Sequence, residues 1–281
     1  PKPYRMPPAH AIAYEGGTIL VDCGEGTFQQ LRRAGFDLKQ VRELFITHHH
    51  FDHIGSLFAC LGLNMMMHRH QPMNIYGPPG TSKILDHLIA ACDIPQATGF
   101  SVPGQTLPHP RDFINSRDIQ PGEILYIDDI RISCCENTHY RPEDQFGKQG
   151  PISLSFRFDA PDRSMVFTGD TGPCLALEEF AKNADLLVGE LFDTELVINR
   201  LRATNPDMSD HALLQMRQHF DEHHLTPEDL GKLASRAGVK KVVAVHIPFI
   251  TKNTEEDAKY VSRILANFAG SVTISEDLAA Y

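Results

Sequence analysis

Hydrophobic positions along this chain fall into short runs of two kinds. The first kind clusters or alternates over four to seven residues between turn formers, as strands do. Residues 11–14 and 18–22 flank Glu15-Gly16-Gly17 and predict a hairpin. Residues 43–47, 74–76, 123–127, 130–136, 152–158, 164–168, 186–190, 242–246 and 271–275 predict the remaining strands. In the second kind, apolar residues recur every three or four positions. Residues 27–34, stopped by Gly35, then 55–67, 81–91, 211–220, 227–237 and 255–268 predict helices. Thr226 stands where a cap belongs, with Asp229 three residues on. Positions 95–122 are rich in Pro, Gly and Asp and read as a long surface excursion. Hairpins alternate with single helix–strand units, and neither an internal period nor a linker divides the chain. The pattern therefore predicts one α/β (α+β) domain over residues 1–281, with mixed sheets flanked by helices.

Composition sharpens this picture. With 281 residues, 42% of them hydrophobic, the chain can bury a large core, which excludes disorder, collagen and coiled coil. Lys and Arg number 26 against 36 Asp and Glu, a net charge of −10 that repels polyanions. Six cysteines, with no Cys-x-x-Cys pair, read as buried thiols in a reducing compartment. No run reaches the ~18 apolar residues of a membrane span, and no signal peptide is visible. Cytoplasm is the expected address, with no membrane partner. The opening on Pro1-Lys2-Pro3 leaves room for a removed leader, and so for a secreted form. Fifteen histidines, against seven tyrosines and no tryptophan, are the unusual entry in the composition. Histidine is the commonest metal ligand and titrates near neutrality, so their placement matters.

Thr47-His48-His49-His50-Phe51-Asp52-His53 follows a short apolar strand. Four imidazoles and a carboxylate make a poor core segment, because each buried polar group needs a partner. Alternating side chains on an extended turn point the same way, so His48 and His50 can grip one ion. Asp52 and His53, past the bend, can face a second. Imidazole nitrogen and carboxylate oxygen suit zinc, with manganese or iron as other candidates. His49 should point the other way. His68-Arg69-His70 lacks an acidic neighbour and reads as a rim segment, while His211, His219 and His223 read as surface groups. Gly77-Pro78-Pro79-Gly80 is a turn without the lysine and hydroxyl of a phosphate loop.

His-x-His-x-Asp-His behind an apolar strand resembles the metallo-β-lactamase superfamily. Val21-Asp22-Cys23-Gly24-Glu25-Gly26-Thr27, residues 44–57, Asn74-Ile75-Tyr76-Gly77-Pro78, Thr168-Gly169-Asp170-Thr171, and residues 184–190 and 239–246 look like its ribonuclease Z and arylsulfatase-like branch. The resemblance runs from about residue 11 onward. It implies a four-layer αββα sandwich with a dinuclear zinc site at the edge of two facing sheets. It further implies that His139 joins His48 and His50 at one metal. His246 would join Asp52 and His53 at the other, with Asp170 bridging both. Two metals ~3.5–4 Å apart lower the pKa of a bridging water and supply hydroxide. Asp52 could also orient that hydroxide. His224-Leu225-Thr226 resembles the branch's His-x-Thr segment, and Glu190 matches the glutamate that pairs with its histidine. A carboxylate beside the imidazole raises its pKa and suits His224 to general acid work.

Three departures bear on the substrate. The branch carries a long basic arm between the positions matching His139 and Asp170, and only 30 residues lie between them here. The segment after His139 reads Tyr140-Arg141-Pro142-Glu143-Asp144, and the charge is acidic throughout. The strand and Gly-Thr-Gly loop that usually precede the segment matching Pro3-Tyr4-Arg5 do not stand before it in this sequence, through trimming or residues that come before Pro1, which touches the first strand and no expected ligand. The expected partner is therefore a small-molecule phosphodiester or sulfate ester, with tRNA disfavoured. An acyl hydrolase acting on a lactone or β-lactam, a tRNA 3′-processing endonuclease and a nonenzymatic binding protein are the alternatives. A homodimer follows from the resemblance alone.

Overall fold

A computed structural model describes residues 5–99, 104–140, 150–247 and 254–281. Pro1-Lys2-Pro3 and residues 141–144 lie outside the described residues. The chain divides into two compact units, one over Met6–Gln120 and one over Pro121–Tyr281 that also takes in Arg5.

The first unit is built on a five-stranded sheet in the order β1-β2-β3-β4-β5. β1 (His10–Tyr14) and β2 (Gly17–Val21) form the antiparallel hairpin that the glycine pair predicts. Gly17 has φ 145°, and a Cβ there would lie 2.7 Å from the Gln40 carbonyl oxygen. β3 (Val41–Phe45), β4 (Met73–Gly77) and β5 (Ile114–Asp118) then add in parallel. Parallel neighbours require crossovers, which are supplied by α1 (Thr27–Arg33), α2 (Phe51–Ile54), α3 (Leu57–Met66), α4 (Thr81–Ala91) and α5 (Asp93–Thr98). Leu20, Leu44, Ile46, Ile75, Phe28, Leu61 and Leu85 fill the core between sheet and helices. The Arg69 guanidinium is also fully buried, and donates to the carbonyls of Leu38, Gln71 and Pro72 and to Asn64 Oδ1. Among the described residues no carboxylate contacts it, and these four bonds hold it instead. It is thus a structural tie, not the rim residue that its neighbours His68 and His70 suggest.

The second unit carries seven strands in the order β12-β11-β10-β9-β8-β7-β6. β6 (Ile124–Ile127), β7 (Ile130–Glu136), β8 (Leu154–Asp159) and β9 (Ser164–Phe167) meander antiparallel. β10 (Leu186–Glu190), β11 (Lys241–Val245) and β12 (Ser271–Ile274) continue in parallel. Between them run α6 (Leu175–Phe180), α7 (Thr194–Thr204), α8 (Asp210–His223), α9 (Pro227–Ala237) and α10 (Thr254–Leu265). Asp193, Ser209 and Thr226 each accept a backbone N–H at a helix start, satisfying otherwise orphaned donors. Val166, Leu187, Ala244, Leu230 and Ile264 centre this core.

The excursion expected over 95–122 is more ordered than its composition suggests, holding most of α5 and the edge strand β5. Ile114 is the one buried residue of β5, so the strand lacks the apolar pattern that betrays a strand in sequence. No helix among the described residues is long and apolar enough to cross a membrane.

Candidate metal centre

In the first unit, β2 and β3 end side by side and deliver Asp22 and the histidine run to one place. Asp22 adopts φ 64°, in the left-handed region, and its buried carboxylate gathers three donors. It accepts the Thr47 backbone N–H at 2.8 Å, the Thr47 hydroxyl at 2.9 Å and His53 Nδ1 at 2.8 Å. An ionised carboxylate only accepts, so His53 carries its proton on Nδ1 and keeps the lone pair of Nε2. The Thr47 hydroxyl spends its single proton on Asp22. His48 Nδ1, 3.0 Å from Thr47 Oγ1, is therefore the donor in that contact, which leaves His48 Nε2 with a lone pair as well. That Nε2 stands 3.1 Å from His50 Nδ1. The rings of His48 and His53 are 4.0 Å apart. His50 and Asp52 are exposed at the start of α2, whereas His53 is buried on it. His49 turns away, as expected, to Thr81 Oγ1 at 2.8 Å, and burial pushes its pKa down against the opposing charge of Asp118.

In the second unit, three strand ends converge. His139 follows β7, and its Nδ1 lies 3.1 Å from the His223 carbonyl oxygen. A carbonyl can only accept, so this ring too is protonated on Nδ1. Its Nε2 lies 3.9 Å from Asp170 Oδ2. Asp170 follows β9 through Gly169, whose φ is 60°. His246 follows β11 at φ 53°, with Nε2 3.2 Å from Asp170 Oδ2. Such strain in non-glycine residues is sustained where the surroundings hold a functional geometry. One donor atom from each of His139, Asp170 and His224 lies within 4.8 Å of the others. His224 Nδ1 binds Glu190 Oε2 at 2.9 Å, and Glu190 Oε1 accepts the Thr171 N–H. Burial drives the Glu190 pKa up, and the adjacent His224 pulls it back. The rings of Phe192 and Phe220 pack on His224, the first stacked at 4.4 Å.

The first unit thus gathers His48, His50 and His53, with Asp52 on the same short helix. The second gathers His139, Asp170, His246, His224 and Glu190. The donor chemistry fits a divalent ion such as zinc: unprotonated imidazole nitrogens, carboxylate oxygens, and opposite ring nitrogens held by a carboxylate, a hydroxyl or a carbonyl. Pattern reading misses Asp22, Thr47 and His223. Of these, His223 is expected at the surface but is 4% exposed, because its ring is drawn inward to the Thr138 carbonyl.

Two mixed sheets, each with histidines and aspartates at its strand ends, define the class: a metallo-hydrolase fold. The Beta-lactamase superfamily domain pattern matches residues 17–247, and the chain belongs to that superfamily. It is 28% identical to a protein named ribonuclease Z from Mycobacterium avium, over 99% of this chain and 92% of that one. Among solved structures it resembles the metallo-β-lactamase fold protein YhfI of Bacillus subtilis, with TM-score 0.66, 16% identity, and coverage of 98% of this chain and 93% of that one. Human tRNase Z, short form, gives TM-score 0.65 at 19% identity, with 99% and 93% covered. Family and relatives together support a metal-dependent hydrolase.

The expected partner, a small-molecule ester with tRNA disfavoured, is overturned by the ribonuclease Z and the tRNase Z among these relatives, which are named for action on RNA and tRNA. The two grounds that rest on the arm and on the charge give way physically. The alignment with the mycobacterial ribonuclease Z spans only 282 positions, which leaves no room for a long arm in that relative either. A net charge of −10 is an average over the whole surface and does not describe the few groups that meet a phosphate.

Proposed function

We propose that this protein is a zinc-dependent phosphodiesterase that cleaves RNA in the manner of ribonuclease Z. The zinc ligands would be His48, His50, Asp52 and His53 of the first unit and His139, Asp170 and His246 of the second, the set that the family resemblance implies. The observation that carries the reading is the fixed proton placement. Nδ1 of His48, His53 and His139 is tied up by Thr47, Asp22 and the His223 carbonyl, so each offers Nε2. Bound zinc would neutralise charge on the scissile phosphate and lower the pKa of an attacking water. Proton delivery belongs to the chain's own groups. Glu190 holds His224 Nδ1, so Nε2 is the nitrogen from which a proton can pass to the departing ribose oxygen. Phe192 and Phe220 shield that ring from water on two sides. All six cysteines are free thiols, in keeping with a reducing cytoplasmic setting. Burial pushes Cys60 up to about 12, so it stays protonated at neutral pH.

The test is elemental analysis with activity on a precursor tRNA. We expect two zinc ions per chain and RNA cleavage by the wild type. His224→Ala should keep its zinc and lose at least about a hundredfold in kcat. Zinc-loaded enzyme that hydrolyses bis-p-nitrophenyl phosphate but leaves precursor tRNA intact would refute the RNA assignment.

A further inference from the structure

We propose that His223 is a positioning residue: a two-way latch by which the end of α8 holds the segment carrying His139. The inference rests on the reading of His139 as a ligand. His223 Nδ1 donates to the Thr138 carbonyl at 2.6 Å, and the His223 carbonyl accepts from His139 Nδ1 at 3.1 Å. Residues 138–139 and 223, 85 positions apart, are thus closed into a ring of two hydrogen bonds that run in opposite directions. Both acceptors are carbonyls, so both rings are fixed as the Nδ1–H tautomer. For His139 this leaves Nε2 unprotonated, in the state a metal requires.

The latch is tight on its other side as well. A Cβ on Gly172 would lie 1.8 Å from the Glu222 carbonyl oxygen, so only a glycine lets this backbone approach. Gly172 stands two residues from Asp170, and His224 follows His223 directly. One buried ring therefore sets the spacing between a ligand segment and the residue assigned to proton delivery. A leucine at 223 could fill the volume, but it would leave the Thr138 carbonyl without its donor. Asparagine restores a donor, because its Nδ2 stands as far along the side chain as histidine Nδ1.

The experiment compares wild type, His223→Leu, His223→Asn and His139→Ala by zinc affinity in chelator competition, by kcat and KM separately, and by thermal melting. His223→Leu should bind one zinc about 10- to 100-fold more weakly, as loss of a group orienting a ligand does, and kcat should fall more than KM rises. His223→Asn should recover most of both. A leucine variant that merely melts lower, with wild-type zinc affinity and kcat, overturns the latch. If His139→Ala keeps full zinc affinity, the ligand reading beneath the latch is what fails. Should His223→Leu not fold, nitrogen-15 spectra of the metal-free wild type decide: both rings must be Nδ1–H, and Nε2–H at either overturns the proposal.

Discussion

Asp22 shows how one buried side chain can set the orientation of several others. Its carboxylate receives the Thr47 N–H, the Thr47 hydroxyl and His53 Nδ1, and through Thr47 it also fixes His48. Asparagine at this position keeps the size but turns one acceptor oxygen into a donor facing donors. Asp22→Asn should weaken zinc binding about 10- to 100-fold, the usual cost of losing a group that orients a metal-bound histidine. It should also lower unfolding stability by about 1–3 kcal/mol, the cost of an unsatisfied buried group. Zinc competition and urea denaturation measure the two effects, and unchanged zinc affinity would remove Asp22 from the orienting role. The histidine cluster was legible in sequence because so many ionisable groups in seven residues have no core explanation. Asp22 and His223 were not legible, because their bonds reach 25 and 85 residues along the chain. Periodicity reports local burial and is silent about such distant partners.

At the scale of elements, α9 offers the clearest separation of effects. It starts directly after His224 and Leu225, so its seating fixes how the end of the α8 connection is held. Thr226 caps it, accepting the Asp229 N–H at 3.2 Å, and Leu230 is fully buried beneath it. Thr226→Ala should cost about 1 kcal/mol, as loss of an N-cap does. Leu230→Ala should cost about 2–5 kcal/mol through lost burial and the cavity left behind. Denaturant unfolding of the two variants distinguishes them; equal losses would mean that the cap contributes as much as the buried leucine to seating this helix. The bounds of α4 and β10, and of α9 with its cap, agree with the residue pattern, because each presents a regular buried face. Strand β5 escaped notice because it is an edge strand of polar residues. α6 and α7 escaped because each buries only one stripe, Leu177 in the first and Thr194, Val197 and Ile198 in the second.

For the molecule as a whole, the proposed function requires a chain of net charge −10 to handle a polyanion. Binding that relies on counterion release weakens steeply with salt, with a log–log slope of about 0.7 per phosphate neutralised on a single strand. With 26 basic residues outnumbered by 36 acidic ones, and many of the former paired within the fold, broad phosphate tracking is disfavoured. On the proposed function, recognition should instead concentrate at the scissile phosphate, where bound zinc would supply the positive charge. KM for a precursor tRNA should therefore rise only gently between 50 and 200 mM KCl, with a slope of roughly 2 or less, equivalent to about three side-chain contacts. Steady-state kinetics across that range at constant zinc measure it directly. A slope of roughly 4 or more would mean about six phosphates are neutralised. That result would locate a basic surface that whole-chain charge conceals and would move the source of RNA affinity away from the metal centre.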